Sequence, residues 1–134
     1  MSEKTIKEVV QKIRALRSMK DLNPEEYAVE GGWADIVAKE ADIKATQLRR
    51  IFHYVKDLKL KYQRDPDKFN RASISMLMPM FAYAKGRGHI KQDFYELLTL
   101  CFGPEKCQTA EDFESAANFL EAIMAYHKYY HSKD

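Results

Sequence analysis

In residues 46–64, TQLRRIFHYVKDLKLKYQR, the apolar side chains that recur are Leu48, Ile51, Phe52, Val55, Leu58 and Tyr62. These intervals form one narrow stripe on a 3.6-residue helix. No long segment alternates apolar and polar residues as a half-buried strand does, so the pattern points to helices throughout. Lys59 falls inside the stripe and is expected to snorkel past the end of the core.

The remaining segments repeat the spacing. Ile6, Val9, Val10, Ile13 and Leu16 form a first stripe, with Ser2 as its expected N-cap. Asn23-Pro24 starts a second helix, which Gly31-Gly32 interrupts before Trp33, Ile36 and Val37 resume its apolar face. Asp65-Pro66 starts a fourth that turns Phe69, Leu77, Met78, Phe81 and Ala84 inward, with Pro79 expected inside it as a kink. A fifth runs from about Ile90 through Phe94, Leu97, Leu98 and Cys101 to a stop at Gly103-Pro104. Thr109-Ala110-Glu111-Asp112 reads as a capping box opening a last helix striped by Phe113, Ala117, Leu120, Ile123 and Met124, ending near His131. The expectation is an all-α, compact bundle of about five to six helices in a single helical domain over residues 1–134.

Charge is the strongest functional signal. Residues 44–91 carry twelve Lys/Arg against three Asp/Glu, whereas residues 1–43 are net −2 and residues 92–134 net −5. A basic middle between acidic ends suggests an anionic partner; the plainer reading is a solvated face neutralised by the acidic segments. No apolar run approaches the roughly 20 residues of a membrane span, and the charged N-terminus shows no secretory signal, so a cytoplasmic protein is expected. Cys101 and Cys107 are too few for a disulfide framework.

Within the basic middle, AYAKGRGHIK combines two glycines with four cationic or imidazole side chains. Neither phosphate-loop spacing is present and no strand precedes, so a helix end is expected here rather than a nucleotide cradle. Gly86 is expected to be the C-cap of the ending helix, with Lys85 and Arg87 complementing the helix dipole. One cation would serve a cap, and Lys85, Arg87, His89 and Lys91 exceed that need. Together with Arg49, Arg50, Lys56 and Lys61 they suit phosphate contact, without the regular aromatic interleaving of base readout. Only Tyr54 is an aromatic well placed for it.

Four rival chemistries are weaker. His53 and Asp57 form an i,i+4 pair of the kind used for acid–base work, but such pairs are common on helix surfaces. His127, His131, Cys101 and Cys107 are the right types for zinc, yet C-x5-C is not a usual chelating spacing, which favours a core cysteine and solvated histidines. Tyr126, Tyr129 and Tyr130 beside the methionines would suit an assembly protein with no RNA affinity. A DNA-reading helix-turn-helix lacks its short turn and partner helix.

Three stretches resemble one family. Thr46-Gln47-Leu48-Arg49-Arg50 is similar to the [ST]-Q-[IL]-R-[KR] helix opening in the small subunit of type III-A CRISPR effector (Csm) complexes. Phe81-Ala82-Tyr83-Ala84-Lys85-Gly86-Arg87 resembles that family's Y-x-x-G-R turn, and residues 119–130, FLEAIMAYHKYY, its closing helix. Order and spacing match over residues 45–131. The resemblance implies a small helical subunit with no catalytic or metal residues and no cofactor. Its expected partners are the backbone of guide (crRNA) and single-stranded target RNA, other Csm subunits, and copies of itself. It matches Arg49, Arg50 and Arg87 to the family's basic positions, and Tyr83 and Tyr126 to aromatic positions for which packing is the expected role. Where family members often carry Arg or Lys ahead of the turn, this chain has Met78 and Met80, side chains equally suited to touching a neighbouring copy.

Overall fold

A computed structural model describes residues 5–131 and, among them, eight α-helices and no strand. They are α1 (Ile6–Arg14), α2 (Pro24–Tyr27), α3 (Trp33–Glu40), α4 (Ala45–Arg64), α5 (Arg71–Ser75), α6 (Leu77–Gly86), α7 (Gln92–Phe102) and α8 (Ala110–Tyr130). The all-α expectation holds, with two of the expected helices each divided. The second divides at Gly31-Gly32, as its glycines require. The expected fourth helix divides differently. Asp65-Pro66 opens only a 3-10 turn, Pro66–Lys68, and α5 starts afresh with the Asn70 side chain accepting from Ala72 N–H. The break before α6 falls at Met76, ahead of Pro79 rather than at it. A proline ring collides with the carbonyl four residues back, here that of Ser75, and its missing N–H costs nothing in a first turn. Pro79 therefore sits just inside α6 instead of bending its middle.

Both long helices bury the stripe that their spacing dictates. In α4 Leu48, Ile51, Phe52, Val55 and Tyr62 are buried, with Leu58 half-buried; α8 buries Phe113, Ala116, Ala117, Phe119, Leu120 and Ile123. Each fully buried large apolar side chain contributes about 1.5–3 kcal/mol. Helix α8 lies at the centre, packed on α3 and α4, while α1 packs on α7 and α3, and α6 on α7, α4 and α5. Phe113 joins the two halves of the core, its ring meeting Tyr62 of α4 at 5.4 Å and Phe102 of α7 at 5.6 Å.

Helix ends are tied by side chains. Thr5 caps α1 by accepting from Glu8 N–H; Ser2, the expected cap, lies outside the described residues. Asn23 caps α2 as expected. The capping box forms between Thr109 and Asp112. Asp112, 1% exposed, accepts from Lys20 N–H at 2.9 Å, Gln108 N–H at 3.0 Å and Thr109 N–H at 3.2 Å. Beside it the buried Lys106 ammonium donates to the carbonyls of Arg14 and Leu16, closing the C-terminus of α1. At the far end of α8 the Tyr130 hydroxyl donates to the buried Asp35 carboxylate, whose other oxygen accepts from Gly31 N–H at 2.7 Å. That hydrogen bond, with burial and the charge of Asp35 behind it, raises the Tyr130 hydroxyl to about 12.

The glycine that ends α6 is Gly88 and not Gly86. Gly86 is still helical, Arg87 is the C-cap, and Gly88 takes the left-handed conformation at φ 78°. His89 N–H then reaches the Ala84 carbonyl at 2.8 Å and Gly88 N–H the Lys85 carbonyl at 3.0 Å, the paired bonds of a Schellman ending. Lys85 and Arg87 still stand at the negative end of the dipole.

Three variants test this construction. Replacing Gly88 by Ala should lower stability by about 1 kcal/mol, because a side chain at that φ is strained. Gly86→Ala should raise it by roughly 0.5 kcal/mol, the low end of the gain in an exposed helix, because Gly86 is the last helical residue of α6. An added Cβ meets nothing within 4 Å at either place, so the backbone alone sets the sign that thermal unfolding of the two variants reads. Asp112→Asn keeps the shape but turns an amide NH2 toward N–H donors, and should cost on the order of 3 kcal/mol in urea unfolding. Burial alone would raise the Asp112 carboxyl, but the N–H donors of Gln108 and Lys20 and the Thr109 hydroxyl outweigh it and hold the group below its ordinary value. A depressed value means that its contribution is fully present above the ordinary carboxylate range and is lost as pH falls through the lower folded value. The gap between wild type and variant should therefore be constant near neutrality and narrow only in acid.

Candidate nucleic-acid interface

Side chains advance about 100° per residue around a helix, which divides the cations of α4 between two flanks of its buried stripe. Arg50, Tyr54 and Lys61 share one flank, and Arg49 and Lys56 the other, with all five exposed. The four candidate cations of α4 do not form a single row. Lys61 lies with Arg64 and Lys68 around a shallow hollow that also contains Asp57 and Asp65.

Arg50 and Tyr54 face α6 across a cleft of about 300 Å³, lined also by Gln47, Ile51, Met76, Leu77, Met80, Tyr83, Ala84 and His89. Its floor is apolar and one wall ends in the α6 turn. Tyr83 is 63% exposed, so the packing role expected for it does not hold; Tyr126 does pack, half-buried with its hydroxyl donating to the Ala28 carbonyl at 2.8 Å. The exposure of Tyr83 follows from helix phase: Met80 and Tyr83 lie off the face of Leu77, Phe81 and Ala84, on the side toward α4. Met78 and Met80 are half-buried against the core, and Met76, 72% exposed, stands at the rim.

At the turn, the Lys85 ammonium sits 5.0 Å from the centroid of the Tyr95 ring, away from the cleft, and Lys91 pairs with Asp42 at 3.2 Å. Arg87 is exposed. Among the described residues no ion pair involves Arg49, Arg50, Lys56, Lys61 or Arg87. The acidic ends of the chain thus neutralise one of the seven candidate cations directly. Lys59 behaves as its position requires: its stem is largely covered and its ammonium emerges 3.5 Å from Glu121 of α8.

The other constellations have structural geometry. His53 and Asp57 stand 3.7 Å apart with both side chains mostly exposed, a helix-surface pair worth a few tenths of a kcal/mol. Cys101 and Cys107 are buried thiols. Burial, reinforced by Cys107, pushes Cys101 far up; burial, reinforced by Asp112 and partly offset by Arg71, pushes Cys107 up to about 12. Neither is a thiolate near neutral pH. His127 is not solvated: it is 1% exposed and its Nε2 meets the Ile43 carbonyl at 2.8 Å, so that nitrogen carries the hydrogen and donates. The His131 ring stacks on it at 4.4 Å. No group of three or more His, Cys, Asp or Glu able to hold a metal ion occurs among the described residues, and no helix among them is long and apolar enough to cross a membrane.

A family model, Csm2 Type III-A, matches residues 25–133, taking in α3 to α8 as well as the three stretches of resemblance. No curated protein and no solved structure matches the chain. With four-fifths of its length inside that match, the chain belongs to the Csm2 Type III-A family, the small subunit of the type III-A CRISPR complex.

Proposed function

We propose that this subunit is a non-catalytic holder of RNA, contacting the phosphate backbone of guide or target strand without reading sequence. The observation that carries this reading is the set of five exposed cations without ion-pair partners, Arg49, Arg50, Lys56, Lys61 and Arg87, displayed along α4 and at the adjoining turn. Lys85 and Lys91 flank them. An arginine left unpaired on a surface keeps its five-donor fork available for bidentate contact with a phosphate, and the exposed lysines add point charge. The two flanks of α4 let the backbone be approached from either side of the helix, and the domain is small enough that few phosphates fit across one copy. Binding by one copy is therefore weak, and copies or other Csm subunits holding the same strand raise it through effective concentration. Family membership supports assembly with other Csm subunits. A helical assembly subunit with no RNA affinity of its own is the second reading, favoured by the exposed Tyr129 and half-exposed Tyr130 on α8.

Anisotropy of a labelled single-stranded RNA of arbitrary sequence, titrated at several salt concentrations, separates the two. The proposal expects sequence-tolerant binding whose log affinity falls by about 0.7 per phosphate contact for each log unit of salt. Arg49→Ala/Arg87→Ala should bind more weakly with a shallower slope. Absence of binding at low salt and high protein concentration would instead assign the chain to assembly alone.

A further inference from the structure

The cleft between α4 and α6 is not needed for backbone contact, and its composition is wrong for it. Phosphates are held by cations and N–H groups, whereas this cleft offers an apolar floor of Ile51, Leu77 and Ala84 and two tyrosines. Tyr54 is 48% and Tyr83 63% exposed, and the half-buried His89 and the exposed Arg50 stand on the same walls. Leaving two aromatic faces open to water beside unpaired cations costs burial that a purely structural pair of residues would recover.

We propose that this cleft receives one unstacked nucleobase of a single-stranded RNA, a reading that rests on the RNA-holding function above and adds a base-stacking subsite to it. Several observations favour a nucleobase over an apolar peptide or a second copy. A volume of about 300 Å³ is at the small end of ligand pockets, suited to one planar group rather than a helix face. The cleft opens within the segment of the chain that carries its positive charge, between Arg50 on one wall and His89 of the α6 turn on the other, so an entering base brings its phosphates toward the Arg50 guanidinium. Its polar groups, the Gln47 amide, the His89 imidazole and the Arg50 guanidinium, are planar and can lie against or hydrogen-bond the edge of a base. Every base has a π-face, so stacking on Tyr83 or Tyr54 is tolerant of sequence, in keeping with a subunit that holds RNA without reading it. The Met80 thioether at the floor adapts to either ring size.

The test compares two oligonucleotides of equal length and backbone: a single-stranded RNA and its abasic ribose-phosphate counterpart, each titrated by anisotropy at several salt concentrations with full-chain wild type, Tyr83→Ala, Tyr83→Phe and Tyr54→Ala. Circular dichroism verifies that the exposed-site variants fold. One occupied base is expected to make wild type bind the base-bearing RNA roughly 5- to 150-fold tighter than the abasic strand. Tyr83→Ala should erase most of that ratio without changing the salt slope, because no phosphate contact is lost, and Tyr83→Phe should retain it. A 2-aminopurine probe in the RNA should be quenched by wild type and less so by Tyr83→Ala. Equal affinity for both strands with the salt slope intact would overturn the subsite and leave backbone holding in place. Binding of neither strand would overturn the RNA reading and the subsite together. A Tyr83→Ala variant that weakens both strands equally and loses concentration-dependent self-association in sedimentation would assign the cleft to a second copy, overturning the proposal.

Discussion

The structure depends on one buried carboxylate. Asp112 gathers backbone N–H groups from Lys20, Gln108 and Thr109, so a residue of the last helix fixes the 3-10 turn Met19–Asp21 that follows the first. The adjoining Lys106 does the complementary task, its ammonium satisfying carbonyls at the end of α1 while its own carbonyl accepts from Met19 N–H at 2.9 Å. A buried charge is tolerated only when its lone pairs or protons are met, and here backbone groups that a loop would otherwise leave orphaned meet them. Once these ends are locked, α8 has a fixed direction, and α3 and α4 pack on it. The orientation of α4, and with it the direction in which its cations point, follows from that.

Much of this was legible in the residues. Helix phase alone assigned Leu48, Ile51, Phe52, Val55 and Tyr62 to the core, and the pairing of Thr109 with Asp112 announced the start of α8. What the sequence hid were features set by tertiary contact. The capping box was visible; that Asp112 would also reach Lys20 was not, since the partner lies 92 residues away. Gly86 and Gly88 carry the same local signal, and only the six-residue hydrogen-bond pattern of the actual ending tells which takes the positive φ. Histidine is intermediate in burial, so sequence alone leaves His127 ambiguous; it is buried where the Ile43 carbonyl accepts its hydrogen bond.

The candidate surface was legible in composition and not in arrangement. A basic stretch predicts exposed cations, and the seven named residues are exposed. Their division between two flanks of α4 was available from the 100° advance. The cleft was not, because it needs the angle at which α6 meets α4, and that angle follows from the break at Met76 that Pro79 forces. The exposure of Tyr83 was legible by the same rule, since its neighbours Phe81 and Ala84 lie on the buried stripe and a residue between them in sequence points well off it; the packing role drawn from the resemblance passed over that.

A net charge of +2 would by itself predict indifference to a polyanion. Screening makes the whole-chain figure the wrong quantity, because at physiological ionic strength an exposed charge acts over about 8 Å. Within that range of Arg50 or Arg87 a strand meets the local surface, and the acidic side chains gathered toward the two ends of the sequence count only where the fold brings them close. It does so at Lys91, through Asp42, and at Lys59, through Glu121, leaving the cations at the start of α4 and at Arg87 without carboxylate partners. Even where α8 packs along α4, its carboxylates leave Arg49, Arg50 and Arg87 exposed and, among the described residues, without an ion pair. The fold converts a charge pattern along the chain into a charge pattern in space, and for a subunit whose place is among other subunits the second is the one that a partner meets.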